Sequence, residues 1–170
     1  MPELIRRGLV AEPQPRTPDD EGRLTYREWP VGQYLLKVAK GADKKARELL
    51  AGVLRSLAGS KHPDVRRDGL EILANLPPEE SAELADIAVG WLMKGAYILG
   101  INPAETLVAR LAAAKKNHAC LKVGSALLQV FDRDGNVDSL YSRHMYEHSL
   151  PKIEEAITGA LGLDALRLLR

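Results

Sequence analysis

Apolar residues recur along most of this chain at steps of three and four, which returns them to one side of a helix. The pattern predicts a succession of short amphipathic helices. Ala46, Leu49, Leu50, Val53, Leu54 and Leu57 make one such face, on a helix starting near Asp43 and ended by Gly59-Ser60. Val65, Gly69, Ile72, Leu73 and Leu76 make the next, opened by Pro63 and closed by Pro77-Pro78. Leu84, Ile87, Ala88, Trp91 and Leu92 form a single further helix, preceded by Glu79 and Glu80 where the helix dipole favours negative charge. Asn102-Pro103-Ala104-Glu105 announces another, with Asn102 as N-cap and Pro103 at the first helical position. Cys120, Val123, Gly124, Leu127, Leu128 and Phe131 line the one after it.

Outside these stretches the pattern weakens. Residues 1–28 include four prolines, three of them between residues 13 and 18, and the acidic run Asp19-Asp20-Glu21, and predict an extended or mobile lead-in. Folded structure is expected from Trp29-Pro30, since proline suits the first turn of a helix. Residues 29–131 then hold three helix pairs, 132–139 form a loop, and 140–170 hold a further pair. Pro151 predicts a kink or two short helices in that last pair. Its apolar C-terminal end carries no cap, as expected of a boundary cut through a longer array.

Shifting the chain against itself by 35 residues aligns the helix faces. Leu35 falls on Leu70, Ala39 on Ala74, Leu49 on Leu84 and Leu57 on Leu92. The same shift repeated places Leu73 on Val108, Leu76 on Leu111, Ala88 on Val123 and Leu92 on Leu127. A hairpin of this size cannot bury both its faces alone, so stacked copies are expected to share a continuous core.

The run His62-Pro63-Asp64-Val65-Arg66-Arg67-Asp68-Gly69-Leu70-Glu71-Ile72-Leu73 resembles a helix of HEAT-type repeats, which commonly carry Asp-x-x-Val-Arg ahead of the apolar stripe; here Asp64, Val65 and Arg66 are contiguous. From Trp29 onward the chain also resembles helical-repeat segments of large bacterial proteins. That resemblance implies an all-α, right-handed solenoid of antiparallel helix hairpins, HEAT- or armadillo-like. It implies a scaffold or protein-interaction role within a larger parent protein, with no catalysis by this segment and no cofactor.

Composition agrees with helices. Leu and Ala fill 48 of 170 positions while aromatics fill 8, a balance unlike that of a β-sandwich or barrel. The net charge of +1 excludes a global field for binding nucleic acid or anionic lipid. No apolar run approaches the ~20 residues that cross a bilayer, no secretory signal opens the chain, and the single cysteine suits a reducing compartment. The cytoplasm is the expected location.

The charge is unevenly spread, however. Residues 29–60 carry a net +4, 61–94 a net −3 and 95–131 a net +3. Lys37, Lys40, Lys44, Lys45 and Arg47 gather at the first hairpin turn, and Lys115 and Lys116 at the third. If the turns line one edge they form a basic ridge, suited to nucleic acid, the alternative function, or to an acidic protein. The simpler reading is that turns and helix C-termini are ordinarily solvated and often basic, and the acidic middle hairpin and the shortage of aromatics favour it. Trp29, Tyr34 and Tyr97 are candidate interface anchors where exposed, whereas Trp91 belongs to a helical stripe and is expected in the core.

Three motifs invite chemistry. His144-Met145-Tyr146-Glu147-His148 is a His-x-x-Glu-His run, placing His144 and His148 on one helical face as a zinc hydrolase would need. Ordinary solvated polar residues at that spacing are the simpler reading, because only 22 residues follow in which to find a third ligand. Asp132, Asp134, Asn136 and Asp138 alternate as in a calcium loop, but Val137 stands where glycine is required and Arg143 where glutamate is. Cys120 and His118 point to different sides of a helix, so Cys120 is expected to be a buried structural thiol.

Overall fold

The computed structural model describes residue 13 and residues 29–41, 43–94, 101–133 and 140–161. Within these residues the chain is all-α, with eight helices and no strand. Helix α1 spans Pro30–Gly41, as the Trp29-Pro30 signal predicts, and its first turn closes on the Trp29 carbonyl, which accepts from Gln33 N at 3.1 Å. Leu35, Leu36 and Ala39 turn inward from it. Helix α2 spans Lys44–Leu57, where Asp43 in extended conformation accepts from Ala46 N at 2.8 Å. That side-chain oxygen satisfies an amide the helix itself leaves unbonded. Helix α3 spans Pro63–Asn75, with Pro63 in its first turn and His62 Nδ1 accepting from Asp64 N.

The single helix expected after Pro78 is two. Helix α4 spans Pro78–Glu83 and α5 spans Ala85–Met93, joined at Leu84 with φ −104° and ψ 9°. No glycine or proline marks the break. Ser81, 2% exposed, donates its hydroxyl to Leu73 O at 2.8 Å and Pro77 O at 3.1 Å, fixing α4 to the end of α3. The amides of Leu84 and Ile87 then bond only three residues back, and the axis is reset so that Ala88, Trp91 and Leu92 enter the core.

Helix α6 spans Ile101–Ala113 and begins two residues earlier than expected, so Asn102 lies inside its first turn instead of capping it and Pro103 is its third residue instead of its first. Its end is a tight reversal: Lys116 N bonds Leu111 O and Lys115 N bonds Ala112 O, both at 2.9 Å, with Lys115 at φ 57°. Glycine usually fills that left-handed position, because a Cβ there costs roughly 1–2 kcal/mol. Lys115→Gly is therefore expected to raise stability by about 1 kcal/mol in chemical denaturation. A loss of stability would show that the lysine side chain makes a compensating contact. Helix α7 spans Asn117–Arg133, and α8 spans Leu140–Leu161 as one helix running through Pro151. Pro151 is exposed, on the solvated side of α8.

Helix α1 packs on α3, α3 on α6 and α6 on α8, while α5 packs on α7 in a second row. Helices α1 and α2, α3 and α5, and α6 and α7 close the pairs between the rows. Polar links between successive pairs recur at nearly one spacing. Trp91 Nε1 donates to Leu57 O at 3.2 Å, 34 residues away, and Lys94 Nζ to Ala58 O at 3.2 Å, 36 away. Arg110 donates to Ala74 O, also 36 away. The three acceptors are carbonyls at the ends of α2 and α3, which lack partners within their own helices. Each pair thus finishes the helix ends of the pair before it.

Close approach is specific at two glycines. A Cβ on Gly69 would lie within the contact distance of the Trp91 ring, and one on Gly32 would fall on the Asp68 carboxylate and on Trp29. These positions let α5 seat on α3 and α3 seat on α1.

Candidate interaction surface

The exposed stripe of α1 follows from its inward one. With Leu35, Leu36 and Ala39 buried, Pro30, Tyr34, Lys37 and Gly41 fall on the opposite side, with Lys40 beside them. Tyr34 is 54% exposed, the one large hydrophobic side chain so placed among the described residues. Lys44 and Lys45, exposed in the first turn of α2, continue the stripe past the turn. Lys37, Lys40, Lys44 and Lys45 carry no ion pair among the described residues.

The hairpin turns do meet along one edge, but the acidic middle turn divides it. Arg47 Nε donates to Glu80 Oε1 at 2.9 Å and Oε2 at 3.2 Å, tying the first turn to the second. Lys116 Nζ lies 3.1 Å from Glu79 Oε1, tying the third turn to the second. Two of the seven expected ridge cations are therefore engaged within the fold. The carboxyl of Glu79 is held below its ordinary range first by its own backbone N–H and then by Lys116. Lys122 and Asp86 pair further along the same pair of hairpins. What remains of the ridge is the first-hairpin lysines and, separately, Lys115.

The other candidates fall as follows. Trp29 is 2% exposed and lies in the core, so it is not a surface anchor. Trp91 is 1% exposed, as its stripe predicts. Tyr97, the His144 side chain and residues 134–139 of the calcium-like run lie outside the described residues. His148 is exposed on α8. Among the described residues no group of three or more His, Cys, Asp or Glu is placed to hold a metal ion. No described helix is long and apolar enough to cross a membrane.

Cys120 is fully buried, its Sγ 3.7 Å from Val108 O, and burial pushes the thiol up from its ordinary value. Both effects suppress the thiolate that reacts with disulfide reagents. In the native protein Cys120 is expected to resist 5,5′-dithiobis(2-nitrobenzoate), reacting fully once the chain is unfolded in guanidinium. Rapid stoichiometric labelling of the folded protein would contradict this.

A buried charged cluster at the start of α3 was not legible as a cluster in the sequence. Asp68 is 3% exposed, and its Oδ1 accepts from Arg67 Nε at 2.7 Å, while Oδ2 faces Gly32 without a hydrogen-bond partner. Arg67 also lies 3.7 Å from Asp64, and His62 lies 3.8 Å from it. The available signal is the spacing of Asp64 and Asp68, which puts both carboxylates on the side of Val65 and Ile72. Burial raises the Asp68 carboxyl above its usual 3.8, outweighing Arg67, which acts in the opposite direction. The native state then holds this proton more tightly than the unfolded chain. The stability Asp68 contributes is complete below the unfolded value and declines as pH rises through the raised native one. The stability of the wild type minus that of Asp68→Asn is accordingly expected to fall as pH rises from about 4 through the titration. A difference that grows with pH would contradict the burial effect.

A cleft of about 950 Å³ separates α6 from α8, lined by Thr106, Ala109, Ala113, Ala156 and Gly159 among others. Lys152 Nζ and Glu105 Oε1, 2.9 Å apart, join its two walls. Comparison with protein-family models, curated proteins and solved structures finds no match to this chain.

Proposed function

We propose that this chain is a HEAT-like helical-repeat module, a right-handed solenoid of three hairpins with part of a fourth, serving as a protein-interaction scaffold. The observation that carries the reading is the recurrence of links between residues 33 to 37 apart. A fold without repetition has no reason to place its cross-links at one sequence separation, whereas stacked hairpins of about 35 residues produce it, as between the first three hairpins here; the link to α8, Lys152 to Glu105, spans 47 residues and follows the longer connection after α7. The two rows of successive helices support the same arrangement. Its partner is another protein or another domain of a parent chain, met in the cytoplasm. Binding uses surface presented by rigid helices, and no chemistry is assigned to the module.

Amine-reactive cross-linking of the tagged chain in its own cells, with the linked lysines located by mass spectrometry, tests this reading. Intermolecular links are expected to concentrate on one region of the array. Links spread evenly over Lys37, Lys61, Lys94, Lys122 and Lys152, or none to any protein, would count against a scaffold.

A further inference from the structure

We infer that the exposed stripe of α1 and the first turn of α2 bind an acidic segment of a partner protein, with Tyr34 packing against an apolar side chain of that segment. The inference rests on the scaffold reading and names its partner. Its basis is a contrast between hairpins. Arg66, Arg67, Lys94, Arg110, Lys116, Lys122 and Lys152 each hold a carbonyl or a carboxylate within the fold. Lys37, Lys40, Lys44 and Lys45 hold none among the described residues, though Asp43 and Glu48 are close in sequence; Arg55, Lys61 and Lys115 also hold none there but lie apart from one another in the chain. Asp43 is committed to capping α2. Four exposed ammonium groups thus lie along α1 and the first turn of α2, with Tyr34, the one large apolar side chain exposed among the described residues, one turn before Lys37. A partner that supplies carboxylates relieves the repulsion, and one that also supplies an apolar side chain covers Tyr34.

The extent of the patch favours a protein over a nucleic acid. Helix α1 has 12 residues, about 18 Å of rise, and the patch ends just beyond it. Past that limit a strand would meet Glu79, Glu80, Glu83 and Asp86 of the second hairpin, all acidic. A phosphate backbone carries charge continuously, whereas an acidic peptide segment is as short as the patch. The stripe offers one aromatic side chain and no arginine, so it lacks both the stacking platform and the planar donors that nucleic-acid surfaces use.

Fluorescence anisotropy on the purified full chain tests this with three labelled probes: a repeating Glu-Glu-Leu peptide, its Gln-Gln-Leu counterpart and single-stranded oligothymidylate. The acidic peptide is expected to bind about tenfold more tightly than the glutamine peptide at low salt, and to lose that advantage as salt screens the charges. Combined Lys37→Gln, Lys40→Gln, Lys44→Gln and Lys45→Gln should weaken it by about tenfold, and Lys61→Gln with Lys115→Gln should leave it unchanged. Tyr34→Ala should weaken it about threefold with the salt dependence retained. All these side chains are exposed, and an unchanged far-ultraviolet spectrum confirms folding. Tighter binding of oligothymidylate, binding unaffected by the four substitutions, or no binding of the acidic peptide would each overturn the inference. If cellular cross-links then map to another helix face, the scaffold reading stands and only the acidic partner fails.

Discussion

Alanine in place of Trp91 is expected to lower the free energy of unfolding by about 4 kcal/mol, the range found for removing a large buried aromatic. The side chain is 1% exposed, and its ring fills the space that Gly69 leaves open on α3. Truncation opens a cavity between α3 and α5 that no neighbouring side chain is placed to fill, since glycine has none. It also removes the donor to Leu57 O, leaving a helix-end carbonyl buried without that bond. The packing loss dominates, because a single hydrogen bond contributes about 1 kcal/mol net. Trp91→Phe, which keeps most of the ring and loses only the donor, is expected to cost about 1–2 kcal/mol. Guanidinium denaturation followed by far-ultraviolet circular dichroism measures both. A loss under about 1 kcal/mol for the alanine variant would mean that Trp91 does not organise the seam.

The second large effect is expected at Asp68. Its replacement by alanine should cost about 2–3 kcal/mol near neutral pH, because the Arg67 guanidinium loses its close carboxylate in a site with little access to water. Asp64, 3.7 Å from Arg67, limits the loss but does not replace the shorter contact. Asp68→Asn keeps an oxygen acceptor of the same shape and is expected to cost about 1 kcal/mol. Equal stability of the alanine variant and the wild type would show that burial of the carboxylate costs as much as the pair returns, an outcome known for buried ion pairs.

Much of this fold is legible in the sequence because helix ends and faces are local properties. Asp43 caps α2, and Pro63 opens α3 where its spacing predicts. The steps of three and four select Leu50, Val53, Leu54 and Leu57 of α2, Val65, Ile72 and Leu73 of α3 and Cys120, Val123 and Leu127 of α7, all buried, but they miss Asp64, Asp68, Leu70 and Ala74 of α3 and Ala119, Ala126 and Val130 of α7, which are buried too. The break at Leu84 is not local. It depends on Ser81 reaching Leu73 O, a bond that exists only once α4 lies on the end of α3. The early start of α6 shows a local signal overridden in the same way: the capping preference of Asn102 is worth about 1 kcal/mol, less than packing supplies. Pro151 lies within a continuous α8, so of the two outcomes it predicts, two separate short helices do not form there.

The interaction surface is only partly legible. Charge clustering at the turns can be read from the sequence, but pairing cannot, and pairing removes Arg47 and Lys116 from the ridge. Trp29 shows the same limit for aromatics, since neither its spacing nor its position at a helix entrance shows that the core encloses it. Tyr34 differs because α1 gives it the side opposite Leu35, Leu36 and Ala39. Leu57 and Leu92 fall together at an offset of 35, and Trp91, 34 residues from Leu57, donates to the Leu57 carbonyl.

In the proposed array of stacked hairpins stability is a matter of neighbours, and native-state hydrogen exchange reads it residue by residue. Ile157, 0% exposed, packs on Gly124 where α8 meets α7, so Ile157→Ala disturbs one end of the array. Exchange protection in this variant is expected to drop most in α7 and α8, less in α5, and hardly at all in α1 and α2. An equal drop across every helix would contradict a repeat array and describe one indivisible core.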